Sequence, residues 1–275
     1  MKPIALASYT LCPELTDDDR LLIPAFARRG VRAVPVSWDA NTDWRQFQKV
    51  VIRSCWDYHL RLPEFLKWIA RLESLDVRLS NSPRLIRWNA EKTYLRELNE
   101  QGVQIPPTFW IEEYEERDVE TIMRTKGWAS VIAKPTVSAS AYGLERVFIN
   151  QSTAVKGPAM VQQFLSEIPN FGEWSLVFIG GQYSHTVLKR AAPGEFRVQW
   201  QYGGTATRAL ALPEMLKSAE KILASLPELP DYARVDGILC GDEFVLMELE
   251  LIEPVLFLGL GRAADRFVEA ILNSP

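Results

Sequence analysis

The stretch Phe244-Val-Leu-Met-Glu-Leu-Glu-Leu-Ile-Glu-Pro254 is apolar and β-prone, yet Glu248 and Glu250 sit inside it, two residues apart. Side chains alternate across a strand, so this spacing predicts both carboxylates on one face and Met247, Leu249 and Leu251 on the other. Two ionised carboxylates on one buried face repel each other and lose hydration, a cost that calls for a compensating charge. A divalent cation is the simplest compensator, because magnesium takes oxygen ligands and is often held by one or two carboxylates plus substrate phosphates. The alternative is an edge strand whose glutamates face water. Upstream, Tyr232-Ala-Arg-Val-Asp-Gly-Ile-Leu-Cys240 reads as a second strand, and Cys240-Gly-Asp-Glu243 supplies the chemistry of a hairpin turn. If Asp236 lies beside Glu248, three carboxylates converge, with Arg234 on the same face. A loop of odd length gives that register and a two-residue turn does not, so an odd loop is expected.

Other groups suited to chemistry lie upstream. Ser130-Val-Ile-Ala-Lys-Pro135 reads as a strand with Lys134 near its end, either a snorkelling cation or a point charge aimed at an anion. The small-residue run Thr136-Val-Ser-Ala-Ser-Ala-Tyr-Gly143 follows, and its backbone N–H groups can approach a phosphate closely, although the Gly-Lys-Ser/Thr of a Walker loop is absent. Arg53-Ser-Cys-Trp-Asp-Tyr-His59 stands where a third strand ends. Ligands of open α/β sheets bind beyond the carboxyl ends of strands, so Arg53, Asp57 and Tyr58 are candidate substrate contacts, against the alternative of a packed Trp56 corner with a surface salt bridge. His185 and Lys189 share a face with Tyr183 and Val187 on the second arm of a Gly180-Gly181 hairpin. His185 is a candidate substrate contact there, or a satisfied strand histidine.

The elements that position these groups follow from periodicity and caps. Ile4 to Thr10, Val31 to Ser37, Lys49 to Arg53 and Val77 to Asn81 read as strands. Between them lie a helix capped by Thr16 and closed near Arg28-Arg29-Gly30, and one opened by Pro63 with Phe65, Leu66, Ile69 and Leu72 at helical spacing. That alternation predicts a small parallel α/β domain. A helix from Asn89, its expected cap, to Gly102 leads to the Pro106-Pro107 break. A polar helix is expected over 115–126, strands over 144–149 and 159–165, an amphipathic helix over 213–226 and a closing helix over 263–273.

A chain of 275 residues, 47% hydrophobic and 24% charged, has the composition of a soluble globular protein with two or more subdomains. Its net charge of −4 gives no electrostatic case for nucleic acid or an anionic membrane. Cys12, Cys55 and Cys240 have neither disulfide nor zinc spacing. The N-terminal apolar run is too short for a signal peptide and no run approaches a membrane span, so a cytoplasmic location is expected.

Taken in order, Lys92, Lys134, the small-residue loop, Gln163-Phe-Leu165, Glu173, Lys189-Arg190, Arg197, and then Asp236 with Glu248 and Glu250 resemble the ATP-grasp superfamily. The similarity runs from about Lys92 to Pro254 and is greatest to the ribosomal-protein glutamate ligase and glutathione synthetase branch. Lys189-Arg-Ala-Ala-Pro-Gly-Glu-Phe-Arg-Val-Gln-Trp-Gln-Tyr-Gly-Gly204 looks like that branch's basic pair, acid-Phe-Arg segment and Gly-Gly. The Arg53–Tyr58 segment, Ser184-His185 and Glu248-Leu-Glu-Leu-Ile-Glu-Pro254 look like the group that contains the cycloserine-forming cyclo-ligase.

The resemblance implies an α/β chain of the ATP-grasp type. It would comprise an N-terminal α/β domain on the substrate side (1–88), a linker helix (89–106), a lid subdomain (107–165) and a core subdomain with the metal site (166–275), with ATP in the cleft between the last two. It implies that Lys92 and Lys134 contact ATP phosphates under the loop from Ser138. Gln163, Phe164 and Leu165 would form a hinge that reads adenine, and Glu173 would hold the ribose. Lys189 and Arg197 would face the transferred phosphoryl group, and Asp236, Glu248 and Glu250 would ligate one or two magnesium ions, with manganese as a substitute. Two positions depart from the pattern: Glu250 stands where Asn is usual, and Ser175 where Arg is frequent. The implied activity is ATP-dependent phosphorylation of an acyl or ureido oxygen of a small amino-acid-like substrate, followed by amine attack. A small-molecule kinase and a non-catalytic nucleotide-binding regulator are the alternatives.

Overall fold

The computed structural model describes residues 2–274. Its first sheet is built from β1 (Ile4–Ser8), β2 (Ala33–Ser37), β3 (Lys49–Ser54) and β4 (Arg78–Ser80), all parallel, in the order β2-β1-β3-β4. Parallel neighbours need crossovers, supplied here by α1 (Asp17–Arg20) with α2 (Leu22–Arg28), and by α3 (Leu62–Ser74). Thr16 caps α1 through its hydroxyl, which accepts from the Asp19 amide. Phe65, Trp68, Ile69 and Leu72 form the buried stripe of α3.

Asn89 has a different position from the one its type suggested. Ser82 caps α4 (Pro83–Asn89), so Asn89 ends one helix, and α5 (Tyr94–Glu100) starts later. The Asn89 side chain instead donates to the Leu249 carbonyl and accepts from the Leu251 amide, satisfying backbone at the outer edge of the third sheet.

The second sheet is antiparallel, in the order β5-β10-β7-β8, from β5 (Thr108–Ile111), β7 (Ser130–Pro135), β8 (Glu145–Phe148) and β10 (Ala159–Gln163). The helix expected from residue 115 is shorter: Glu116–Asp118 forms β6, which pairs with β9 (Ala154–Lys156), and α6 spans Val119–Lys126. The Asp118 carboxylate accepts from the Thr121 amide, ending the strand and starting the helix at one residue.

The third sheet, also antiparallel, has the order β13-β12-β11-β14-β15. Its strands are β11 (Glu173–Ile179), β12 (Gln182–Arg190), β13 (Thr205–Ala209), β14 (Tyr232–Cys240) and β15 (Glu243–Glu250). The short α7 (Glu167–Phe171) precedes them, α8 (Pro213–Ala224) is inserted, and α9 (Ala263–Asn273) follows. Gly180 and Gly181 both take positive φ, 59° and 72°, which closes the β11–β12 hairpin in two residues as expected. The β14–β15 hairpin also closes in two residues, since Cys240 pairs with Glu243, so the odd loop is not observed. Asp236 nevertheless faces Glu248, because the register shifts between Asp236 and Gly237: Gly237 faces Leu246, and Met247 is the extra residue of a β-bulge. The bulge, rather than the turn, sets the acids on one face.

Met215, Ala219, Ile222 and Leu223 of α8 bury one face of this sheet against Leu176, Phe178, Val235 and Leu246. Its Val177, Ile179 and Tyr232 pack instead with Ile4, Leu6 and Val51 of the first sheet and Phe267 of α9, so the first and third sheets share a core. No helix among the described residues is long and apolar enough to cross a membrane.

Candidate active site

A cavity of about 590 Å³ opens where the three sheets meet, a volume suited to a nucleotide and a small substrate. Its walls carry Lys134 from β7, Gln163 from β10, Glu173 from β11, Lys189 from β12, Arg234 and Asp236 from β14, and Glu248 and Glu250 from β15. Lys92, Ser138, Phe164, Leu165 and Arg197 reach it from connecting segments. Residues far apart in the chain are thus brought together by strand pairing. Glu173 lies opposite Lys189, Ser175 opposite Asp236, Asp236 opposite Glu248, and Arg234 opposite Glu250.

Most of the charges are already paired. Lys189 bridges Glu173 (2.5 Å) and Asp236 (2.9 Å). Arg234 grips Asp236 at 2.9 Å, contacts Glu250 and donates to the Val255 carbonyl. Ser175 donates to Asp236 (2.6 Å), so this position carries a hydroxyl and the guanidinium at this place in the site comes from β14. Lys92 pairs with Glu248 and donates to the Ser138 carbonyl at 2.8 Å, tying the small-residue loop to the acids.

These contacts set the protonation states. Burial works to raise Asp236, but Arg234 and Lys189 hold it well below the usual carboxylate range. Burial is likewise outweighed at Glu248, which Lys92 and Lys134 lower. Glu250 differs: burial drives it up to about 7, Arg234 opposes, and the charges of Asp236 and Glu248 add to the rise. Lys134 is buried, makes no ion pair among the described residues, and is pushed down to about 8 by its desolvation. It faces the cavity, where the charge of Glu248 is the main attraction acting on it.

The three acids offer the hard oxygen donors that magnesium prefers. Among the described residues no three such side chains stand together in a ready-made metal cage, because each carboxylate is turned to a cation. Resident Lys and Arg side chains, rather than a metal alone, therefore compensate the acids in this arrangement. The donor chemistry of these acids fits the metal.

The hinge and the loops complete the walls. The Gln163 amide donates to the Pro107 carbonyl (2.9 Å) and the Phe164 amide to that of Ser130 (3.0 Å). Among the described residues this leaves the Leu165 amide as the unbonded donor of the three. Arg197 is held by Glu195 and lies 3.6 Å from the Tyr202 ring centroid. Ser140 and Ala141 take positive φ in the loop after β7, and the Ser140 carbonyl accepts from Gln201 (3.2 Å), across the cavity mouth.

Three expected substrate contacts lie elsewhere. Arg53 is fully buried: it pairs with Asp19 at 2.8 Å, donates to the Pro254 carbonyl and lies against the Tyr232 and Phe267 rings in the core between the first and third sheets. Asp57 accepts from the Trp38 indole (2.8 Å) and faces Arg61, outside the cavity. His185 is buried between the Leu256 carbonyl and the Ser184 hydroxyl, and burial pushes its pKa down to about 4, so it is a satisfied strand histidine. Tyr58 alone of the Arg53–Tyr58 candidates lines the cavity. Sequence reasoning gave no role to Tyr9, Trp56 and Glu253, which line it too. Glu253 lies in the same Phe244–Pro254 stretch as Glu248 and Glu250, and its place three residues after Glu250 in an apolar run was the available signal.

Known proteins resemble this chain in sequence and fold. Residues 4–81 match the N-terminal domain of D-cycloserine synthetase DcsG. Over 293 aligned residues the chain is 27% identical to the cycloserine biosynthesis protein DcsG of Streptomyces lavendulae, covering 98% of this chain and 97% of that one. The crystal structure of D-cycloserine synthetase DcsG superposes with a TM-score of 0.84 at 25% identity, covering 98% of both chains. D-alanine–D-alanine ligase from Bacillus anthracis gives a TM-score of 0.68 at 14% identity, covering 99% and 96%. An ATP-grasp RimK-domain protein of Sphaerobacter thermophilus gives 0.68 at 18% identity, covering 98% of both chains.

Proposed function

We propose that this chain, a homologue of D-cycloserine synthetase with the ATP-grasp fold, is an ADP-forming carbon–nitrogen ligase acting on a small amino-acid-like substrate. The observation that carries the proposal is one cavity with an ammonium that makes no ion pair among the described residues, Lys134, at one wall and three carboxylates at another, joined by Lys92, Lys189 and Arg234. Phosphoryl transfer needs positioning and charge neutralisation more than covalent help, and these groups offer both.

In this reading ATP lies between the second and third sheets, residues 107–165 acting as the lid and 166–275 as the core. Residues 1–88 form the substrate side and 89–106 the linker. Leu165 at the hinge offers its amide to the base, Glu173 faces the ribose, and Lys134 and Lys92 take phosphate oxygens under the Ser138 loop. Asp236, Glu248 and Glu250 would hold magnesium, which when bound would supply positive charge against the phosphates. Lys189 and Arg197 face the transferred group. A substrate acyl oxygen attacks the γ-phosphorus and ADP leaves. A nitrogen then attacks the acyl carbon, the C–N bond forming as the C–O bond to phosphate breaks, and the amine proton leaves with phosphate or water. If the nitrogen belongs to the same molecule, the product is a ring. Use of ATP and three free cysteines suit a cytoplasmic enzyme.

The test is ADP and phosphate release with Mg²⁺–ATP across amino acids and their amide and ureido derivatives, O-ureidoserine included. Release stimulated by a derivative together with a new C–N bond supports the ligase. Stoichiometric formation of a stable phosphorylated product would make the protein a kinase instead.

A further inference from the structure

Among the acids lining the cavity, Glu173, Asp236, Glu248 and Glu250 each have a cationic partner, and Glu253 makes no ion pair or hydrogen bond among the described residues. It follows β15, past Ile252, where the chain passes from the third sheet towards the first. Close by is Tyr58, also on the cavity wall, which is 5% exposed and whose hydroxyl has no hydrogen-bond partner among the described residues. Glu253 is the strongest charge acting on that phenol, after burial. Among the described residues, Lys134 and Glu253 are thus the cation and the acid on this cavity's wall that make no ion pair. The lysine sits at the end of β7 under the phosphate loop, and the acid on the side bordered by the first sheet.

A carboxyl kept half-buried without a partner is costly unless a ligand supplies one. From this juxtaposition we infer that Glu253 receives a protonated amino group of the small substrate, while the Tyr58 hydroxyl donates to an oxygen of the same molecule. The inference rests on the ligase reading and deepens it, by making a free amine the mark of the substrate class. Anions are poor candidates for this end of the cavity, because Glu248 and Glu250 stand beside Glu253. Burial first, and then the Glu250 charge, raise Glu253 well above the usual carboxylate range, the behaviour of an acid that lacks a counter-ion. An ammonium supplies it.

The test compares probes that differ only in the amine. Serine, alanine and cycloserine, each in both enantiomers, are titrated calorimetrically into the full-length protein with Mg²⁺ and a nonhydrolysable ATP analogue. Their deamino counterparts hydracrylate, propionate and isoxazolidinone are titrated alongside. The wild type should bind at least one amine about ten- to a hundredfold more tightly than its counterpart. Glu253→Gln should erase that preference while binding the ATP analogue as the wild type does. Tyr58→Phe should weaken both members of the pair. The inference is overturned if the wild type binds no amine preferentially, or if Glu253→Gln keeps the preference. The ligase reading fails separately, by loss of nucleotide binding in the same titrations before any amine is added.

Discussion

Replacing Glu250 by Gln should stabilise the metal-free protein at neutral pH. In the fold Glu250 is driven from 4.5 up to about 7 by burial and by Asp236 and Glu248, with Arg234 opposing. A carboxyl raised in this way binds its proton more tightly folded than unfolded. Its ionisation therefore costs stability above the folded pKa, and the cost vanishes below the unfolded one. At about 1.4 kcal/mol per pH unit, the shift amounts to at most about 3 kcal/mol at pH 7.5 and to almost nothing near pH 4. Gln keeps the shape and an oxygen for Arg234 but removes the charge, so Glu250→Gln should recover up to that amount. Urea titrations in EDTA at pH 4.5, 6 and 7.5 should show the variant gaining on the wild type as pH rises. The same variant should bind Mg²⁺–nucleotide more weakly, since it has lost a hard anionic donor. A variant less stable than the wild type at pH 7.5 would refute the reasoning, because Arg234 would then over-compensate the acid.

Arg53→Ala should cost about 3–5 kcal/mol, because it strands Asp19 in the core; a folded variant of undiminished melting temperature with impaired substrate binding would return Arg53 to the substrate site. The 138–143 loop, with Ser140 and Ala141 at positive φ, should exchange its amides more slowly once Mg²⁺ and a nonhydrolysable ATP analogue bind, by hydrogen-exchange mass spectrometry. Equal exchange in both states would count against closure.

The parts of this fold that were legible in the sequence rest on strong local rules. Period-two alternation set Glu248 and Glu250 on one face, Gly180-Gly181 fixed a tight hairpin, and strands spaced by helices gave the parallel sheet. What escaped depends on contacts remote in sequence. The Met247 bulge corrects the register of the acids, and no residue type at that position announces it. Asn89 looked like a cap because Asn so often is one, yet its amide is spent on the edge of β15. Arg53 was placed by the strand-end rule, but the end of β3 is roofed by Tyr232 and Phe267, so its charge turns inward to Asp19. Arg234 shares a strand face with Asp236 and was legible there, but Lys189 reaches Asp236 only through the pairing of β12, β11 and β14, which left that part of the acids' paired state invisible beforehand.

Binding of Mg²⁺ and a nonhydrolysable ATP analogue to the wild type and to Lys134→Ala, followed by calorimetry, addresses the nucleotide site most directly. Lys134 is the cavity cation without an ion pair among the described residues, so on the proposed reading its loss would remove a charge-assisted contact to phosphate while disturbing no resident salt bridge. The wild type should bind one nucleotide, with magnesium required for full affinity, and Lys134→Ala should bind about ten- to a hundredfold more weakly with its melting temperature preserved. Wild-type affinity in the folded variant, or no nucleotide binding by either protein, would contradict an ATP site in this cavity.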